Sequence, residues 1–231
     1  MALDGTPSDA SLSASPYAHL ATASFKEALG AAPFFCNELT QSAVLDGETG
    51  DGLALLLSSS NGARGFFTSW LSDPDFSGAE TVPPHPELLK VLDRVCTTAA
   101  AATFMARLLL SNVAMAVRAV SEHRRAGRSE RVEGAMRTYK RASVLAGFVS
   151  ASASVGDVAL PKALRAEERA LSAALEAALA DQPAETAPAA SCEGEQMWPS
   201  LLARLQCDRD LLLSIKQGTT LSSGVGGTLV D

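Results

Sequence analysis

The chain has 231 residues, with 19 Lys or Arg against 26 Asp or Glu and a formal net charge of −7. That length suits one large domain or two small ones, and the negative total argues against attraction to nucleic acid or anionic lipid by the molecule as a whole. Aromatic residues are few, with eight Phe, two Trp and two Tyr. β-Branched runs are rare, and no window alternates apolar and polar residues over a strand length. The composition predicts an all-α protein, an irregular helical bundle organised around a long antiparallel helical hairpin.

Residues 1–15 are small and polar and predict a disordered tail. They lack a basic segment followed by an apolar run, and lack Arg, so neither a secretory nor an organellar signal is expected. A helix is expected from Pro16 or Tyr17 to Leu29, ended by Gly30, with a second opening at Pro33. Asp46 to Gly52, DGETGDG, reads as a loop. A calcium loop starting at Asp46 would need a carboxylate or amide at the fifth position, Gly at the sixth and Glu at the twelfth. Gly50, Asp51 and Leu57 stand there, so the pattern fails. Asn61-Gly62 marks a turn, and Ala63 to Leu71 predicts a short helix whose Phe66, Phe67, Trp70 and Leu71 anchor it to the core.

The central stretch is Glu87 to Arg125, 39 residues without Pro or Gly. Leu88, Leu92, Val95, Ala99, Ala102, Ala106, Leu109, Val113, Ala116 and Val120 recur at alternating spacings of four and three, a seam along one helix face. One continuous helix of that length would be about 60 Å long. Cys96 to Val117 is also long enough to cross a bilayer. Arg107 falls in its middle, however, and a mid-span Arg costs at least ~2.5 kcal/mol on insertion scales, so no membrane span is expected. Pro86 suits the start and Gly127 the stop. Ser129 to Ser152 then predicts a second long helix, antiparallel to the first because the joint is short.

Pro161 to Ala180 predicts a further helix, with Leu164, Leu171 and Leu175 inward and Glu167, Glu168 and Glu176 outward. These elements make up an expected bundle domain over 16–181. The segment 182–197 reads as a flexible linker rich in Pro, Ala and Glu, 198–217 as a C-terminal amphipathic helix, and 218–231 as a flexible tail.

Chemistry is sparse. The three His, at 19, 85 and 123, are far apart, and none follows a Glu at the spacing of a bundle metal site, so neither a metal nor a cofactor is expected. The four Cys, at 36, 96, 192 and 207, form no C-x-x-C; Cys36 and Cys96 sit among apolar residues as buried free thiols. The simplest setting is soluble, intracellular and cytoplasmic.

Two groups of residues are candidates. Arg64, His85, Arg107 and Asn112 are polar groups in apolar surroundings. They could line an anion pocket, or Arg107 could sit in an internal ion pair with Asp73 or Glu38, since an unpaired buried charge is very costly. Between Arg107 and Arg141, nine Lys or Arg face three Glu. Arg124, Arg125, Arg128 and Arg131 could therefore dock an acidic protein partner. Nucleic acid is disfavoured, because Tyr139 is the one aromatic close by. Trp198, Leu201, Leu205 and Leu212 form the stripe of the last helix, a second possible docking surface. The leading expectation is a non-enzymatic protein acting through protein–protein interaction. The alternative is a small-molecule anion binder or enzyme with its pocket near Arg107 and Asn112.

Overall fold

The computed structural model describes residues 15–80, 83–151, 159–180 and 197–220. The expected N-terminal tail, the linker and nearly all of the C-terminal tail lie outside them. Among the described residues there are nine α-helices and no strand.

A short 3-10 turn, Ala18–Thr22, leads into α1, Phe25–Gln41. Ser24 and Glu27 form a reciprocal capping box that fixes the start of α1. The helix then runs through both Gly30 and Pro33, where a stop and a new start were expected. An interior Pro costs ~3 kcal/mol. Full burial of Phe35 and Leu39 contributes ~1.5–3 kcal/mol each. Both side chains are buried, with Ala28, Ala32 and Cys36 on the same face, so packing overrides the local breaker.

The DGETGDG segment is helical as well. Asp46 accepts a hydrogen bond from the Thr49 N–H at 2.8 Å and caps α2, Gly47–Ser58. Gly52 sits under the Tyr17 ring, where a Cβ would come within 2.6 Å of ring carbons. Ser59 caps α3, Ser60–Ser72. Asn61 and Gly62 thus lie in its first turn, not in a loop. A Cβ at Gly62 would overlap the Leu56 carbonyl oxygen, so the sharp α2–α3 corner requires glycine.

The central stretch is two helices, α4, Pro86–Val95, and α5, Ala99–Arg125. Thr98 adopts an extended backbone and accepts from the Ala101 N–H at 3.2 Å, starting α5 afresh. The break lets the two halves of the seam bury against different partners. Leu88 and Leu92 of α4 are buried on the side that packs on α2; Ala102, Ala106, Leu109, Val113, Ala116 and Val120 are buried along α5. Val95 and Ala99, beside the break, are not. Pro86 does open α4.

Gly127 ends α5 in the left-handed region, at φ +64°. Its N–H bonds the Arg124 carbonyl and the Arg128 N–H the His123 carbonyl, closing the helix C-terminus. The chain returns as α6, Ser129–Ala151, and the α5–α6 hairpin is the most extensive helix pairing in the molecule.

Two layers flank the hairpin. On one side α1 and α3 pack together, and α3 meets α6. On the other, α7, Ala159–Ala180, packs on α5 and α6. The expected last helix is two, α8, Met197–Leu205, and α9, Arg209–Thr219. Gln206 breaks it with φ +48°, and Asp208 then caps α9 by accepting from the Leu211 N–H at 2.8 Å. α8 lies on α7, and α9 on α5 and α7. Gly218, the expected start of the flexible tail, lies inside α9 against Val117 and Tyr139.

Candidate functional site

The four residues of the expected anion pocket sit on different elements, and three of them have partners of their own. Arg64 is exposed on α3, its guanidinium 5.6 Å from the centre of the Phe25 ring. His85 caps α4. Its Nδ1 accepts from the Glu87 N–H at 3.3 Å and its Nε2 lies 3.0 Å from the Ser42 carbonyl oxygen. That pattern requires a neutral imidazole protonated on Nε2. Arg107 donates from Nε to Glu167 Oε1 at 2.9 Å. Asn112 is half-buried on α5, with an Nδ2 that has no hydrogen-bond partner among the described residues. The ion pair expected for Arg107 is therefore present, but its carboxylate is Glu167 rather than Asp73 or Glu38.

Glu167 was expected to face outward, yet it is 8% exposed. Its second oxygen accepts from Trp198 Nε1 at 2.8 Å. One carboxylate thus joins α5, α7 and α8, and Trp198 is buried with it. Leu205 and Leu212 are also buried, and Leu201 is partly buried against the same core. The apolar stripe expected to dock a partner is covered by the chain itself. The physical reason is the Gln206 break: it folds the chain back so that α8 buries its apolar face on α7 and α9 on α5 and α7.

On the opposite side of the hairpin lies the most buried charge. Arg141 is 2% exposed. Its Nη1 donates to the Asp73 carbonyl at 2.6 Å and the Trp70 carbonyl at 3.3 Å, and its Nη2 to Glu80 Oε1 at 2.9 Å. Two of these acceptors are free carbonyls at the C-terminus of α3, where a cation is favoured. Its Nε has no partner among the described residues. Cys36 is near this charge, but burial is the main influence on its thiol and pushes it far above the ordinary range. Cys96 is likewise pushed up to about 12 by burial. Neither thiol is a nucleophile at neutral pH.

The hairpin tip is built differently. Arg125 is committed, its Nη1 2.7 Å from Asp208 Oδ2. That pair, with the backbone bond from Leu211, holds the Asp208 carboxyl below its ordinary range. Arg124, Arg128 and Arg131 are exposed and have no carboxylate partner among the described residues. The closed turn at Gly127 fixes the three on one rigid end. His123 is half-buried beside them.

Two of the tightest polar sites were legible after all. Glu167 follows Leu164 by three residues and precedes Leu171 by four, so it occupies a core position of the stripe. Arg141 precedes the buried Leu145 by one turn. A charge at such a position signals a buried partner. No signal of that kind marks Arg165, Arg169 and Lys216, which line a cleft between α6, α7 and α9. They lie on separate helices whose meeting depends on the fold.

No group of three or more His, Cys, Asp or Glu among the described residues could hold a metal ion. α5 is long and apolar enough to cross a membrane, and half of its apolar window is buried inside the bundle. No curated protein and no solved structure matches the chain. A family model does match residues 24–158, more than half of the chain, and the protein therefore belongs to the family described as Uncharacterised conserved protein UCP020893.

Proposed function

We propose that this protein is a non-enzymatic, intracellular helical interaction protein that docks an acidic protein partner on the tip of the α5–α6 hairpin. One observation carries the reading. The interior arginines, Arg107 and Arg141, are each engaged by carboxylate or carbonyl oxygens, whereas Arg124, Arg128 and Arg131 stand exposed and form no ion pair among the described residues, although Glu130 lies in the same stretch. A rigid cluster of like charge on a molecule of net charge −7 is a local feature, not an overspill of composition. Such a cluster raises the encounter rate with an acidic surface and fixes its orientation. Free thiols at Cys36 and Cys96 support a reducing compartment. The tip lacks the aromatic platforms that single-stranded nucleic acid would stack on.

The test is fluorescence anisotropy of a labelled Glu-rich peptide with the full chain, titrated with salt. Binding should be measurable at low salt and weaken as salt screens the charges. Changing Arg124→Glu, Arg128→Glu and Arg131→Glu together should abolish it and leave the melting temperature unchanged. Unchanged peptide affinity in that triple variant would refute the docking role of the tip. Preference for a DNA or RNA oligonucleotide over the peptide would refute the protein partner.

A further inference from the structure

The cleft between α6, α7 and α9 has a volume of about 470 Å³. This is within the range of small-molecule sites and well above the space one inorganic phosphate fills. Arg165, Arg169 and Lys216 line it from two helices, together with the hydroxyl-bearing residues Ser150 and Ser172. None of its lining residues is aromatic.

The C-termini of α6 and α9 both lie at this cleft. Each helix C-terminus contributes roughly half a negative charge. Glu168 contributes one more and has a partner of its own. Arg165 donates from Nε to the Ser150 carbonyl at 3.1 Å, which offsets the end of α6 and leaves its terminal nitrogens uncommitted to that bond. Lys216 pairs with Glu176 at 3.0 Å, but both side chains are substantially exposed, and such pairs are exchanged at little cost. Arg169 has no carboxylate partner among the described residues. With Glu176 paired to Lys216 the cleft is about neutral; once a ligand takes Lys216 and Glu176 turns to solvent, three cations against Glu168 and two half charges leave a surplus of about one positive charge.

From this cleft we infer a binding site for a small phosphorylated polyol or sugar. Arg165 and Arg169 line the cleft from α7 and Lys216 lines it from α9, so a ligand seated between the two helices meets cations on both, which suits the several oxygens of a phosphate. The hydroxyl lining suits a polyol body, and the lack of a ring to stack on disfavours a nucleobase. Gly147 forms part of the wall and faces open space, with no atom within 4 Å of where its Cβ would stand. A larger side chain there fills the cleft without a clash, and Leu is a better helix former than Gly.

The test is calorimetry and thermal shift on the full chain with glucose 6-phosphate, beside glucose, inorganic phosphate and AMP. Glucose 6-phosphate should bind with sub-millimolar affinity and raise the melting temperature, and each of the other three should bind more weakly. Arg169→Gln should weaken it about tenfold. Gly147→Leu should abolish it without lowering the melting temperature of the free protein. Absence of any glucose 6-phosphate binding, or undiminished binding in Gly147→Leu, would overturn the site. Inorganic phosphate binding as tightly as glucose 6-phosphate would overturn the polyol assignment, and AMP binding as tightly would overturn the preference against a base. None of these outcomes depends on the hairpin tip.

Discussion

The two sides of the α5–α6 hairpin are fastened by opposite arrangements of the same chemistry. Towards α1 and α3 the buried charge is a cation, Arg141, held mostly by backbone carbonyls, with the largely exposed Glu80 as its counterion. Towards α7 and α8 the buried charge is an anion, Glu167, and its partner Arg107 keeps 35% of its side chain in contact with solvent. The first arrangement depends on the cation, because nothing else can serve the end of α3. The second depends on keeping the carboxylate company, because water can reach the arginine but scarcely the acid. The family segment, 24–158, contains the whole of the first joint but only Arg107 of the second.

Several variants would break or sharpen this contrast. The largest effect is expected from Arg141→Ala. It leaves a cavity and two carbonyls without their donor, and should destabilise by ~3–5 kcal/mol in denaturant titrations. On the other side, Arg107→Met should cost ~2 kcal/mol, because it strands Glu167 with Trp198 alone. Glu167→Leu should cost less, ~1 kcal/mol, chiefly the lost acceptor of the Trp198 N–H, since Arg107 can turn to water. A larger loss for Glu167→Leu than for Arg107→Met would show that the contrast is drawn the wrong way round.

A smaller change is expected at the α8–α9 joint. Gln206 holds a left-handed backbone, so Gln206→Gly should raise stability by ~0.5–1 kcal/mol in the same titrations. Acid should act more gently still. Glu27 and Asp46, on one side, and Asp208, on the other, are held below their ordinary ranges: Glu27 by the Ser24 side chain, Asp46 by the Thr49 N–H and Asp208 by Arg125. A carboxyl with a lowered folded pKa binds fewer protons in the folded state. Its stabilisation is therefore complete above the unfolded value, about 4, and is lost as pH falls through the folded one. Melting temperatures measured from about pH 5 down to about pH 3 should decline, and Asp46→Asn should flatten part of that decline.

Much of the fold was readable because burial leaves a periodic mark. The hairpin, its turn at Gly127 and the inward faces of α5 and α6 follow from apolar spacing and one glycine. The breaks were harder. Thr98 starts a new helix through its hydroxyl cap and Gln206 breaks one with a left-handed backbone that propensity does not flag, while Gly30 and Pro33 fail to end one because Phe35 and Leu39 hold it to the core. The site left a usable mark only where a charge shares a stripe with leucines, as Glu167 does, and even there the charge led to an outward placement that the fold corrects. Arg64, His85, Arg107 and Asn112 looked alike in sequence because each is polar among apolar neighbours. The fold separates them by giving Arg64 a ring, His85 a carbonyl and Arg107 a carboxylate.

Amide hydrogen exchange, measured on the full chain for wild type, Arg141→Met and Arg107→Met, addresses the two-sided account most directly. Arg141→Met should speed exchange in α1 and α3 and leave α8 and α9 protected; Arg107→Met should do the reverse, with the hairpin core slow in both. Uniform acceleration across all helices in either variant would contradict separate joints and make the bundle one indivisible unit.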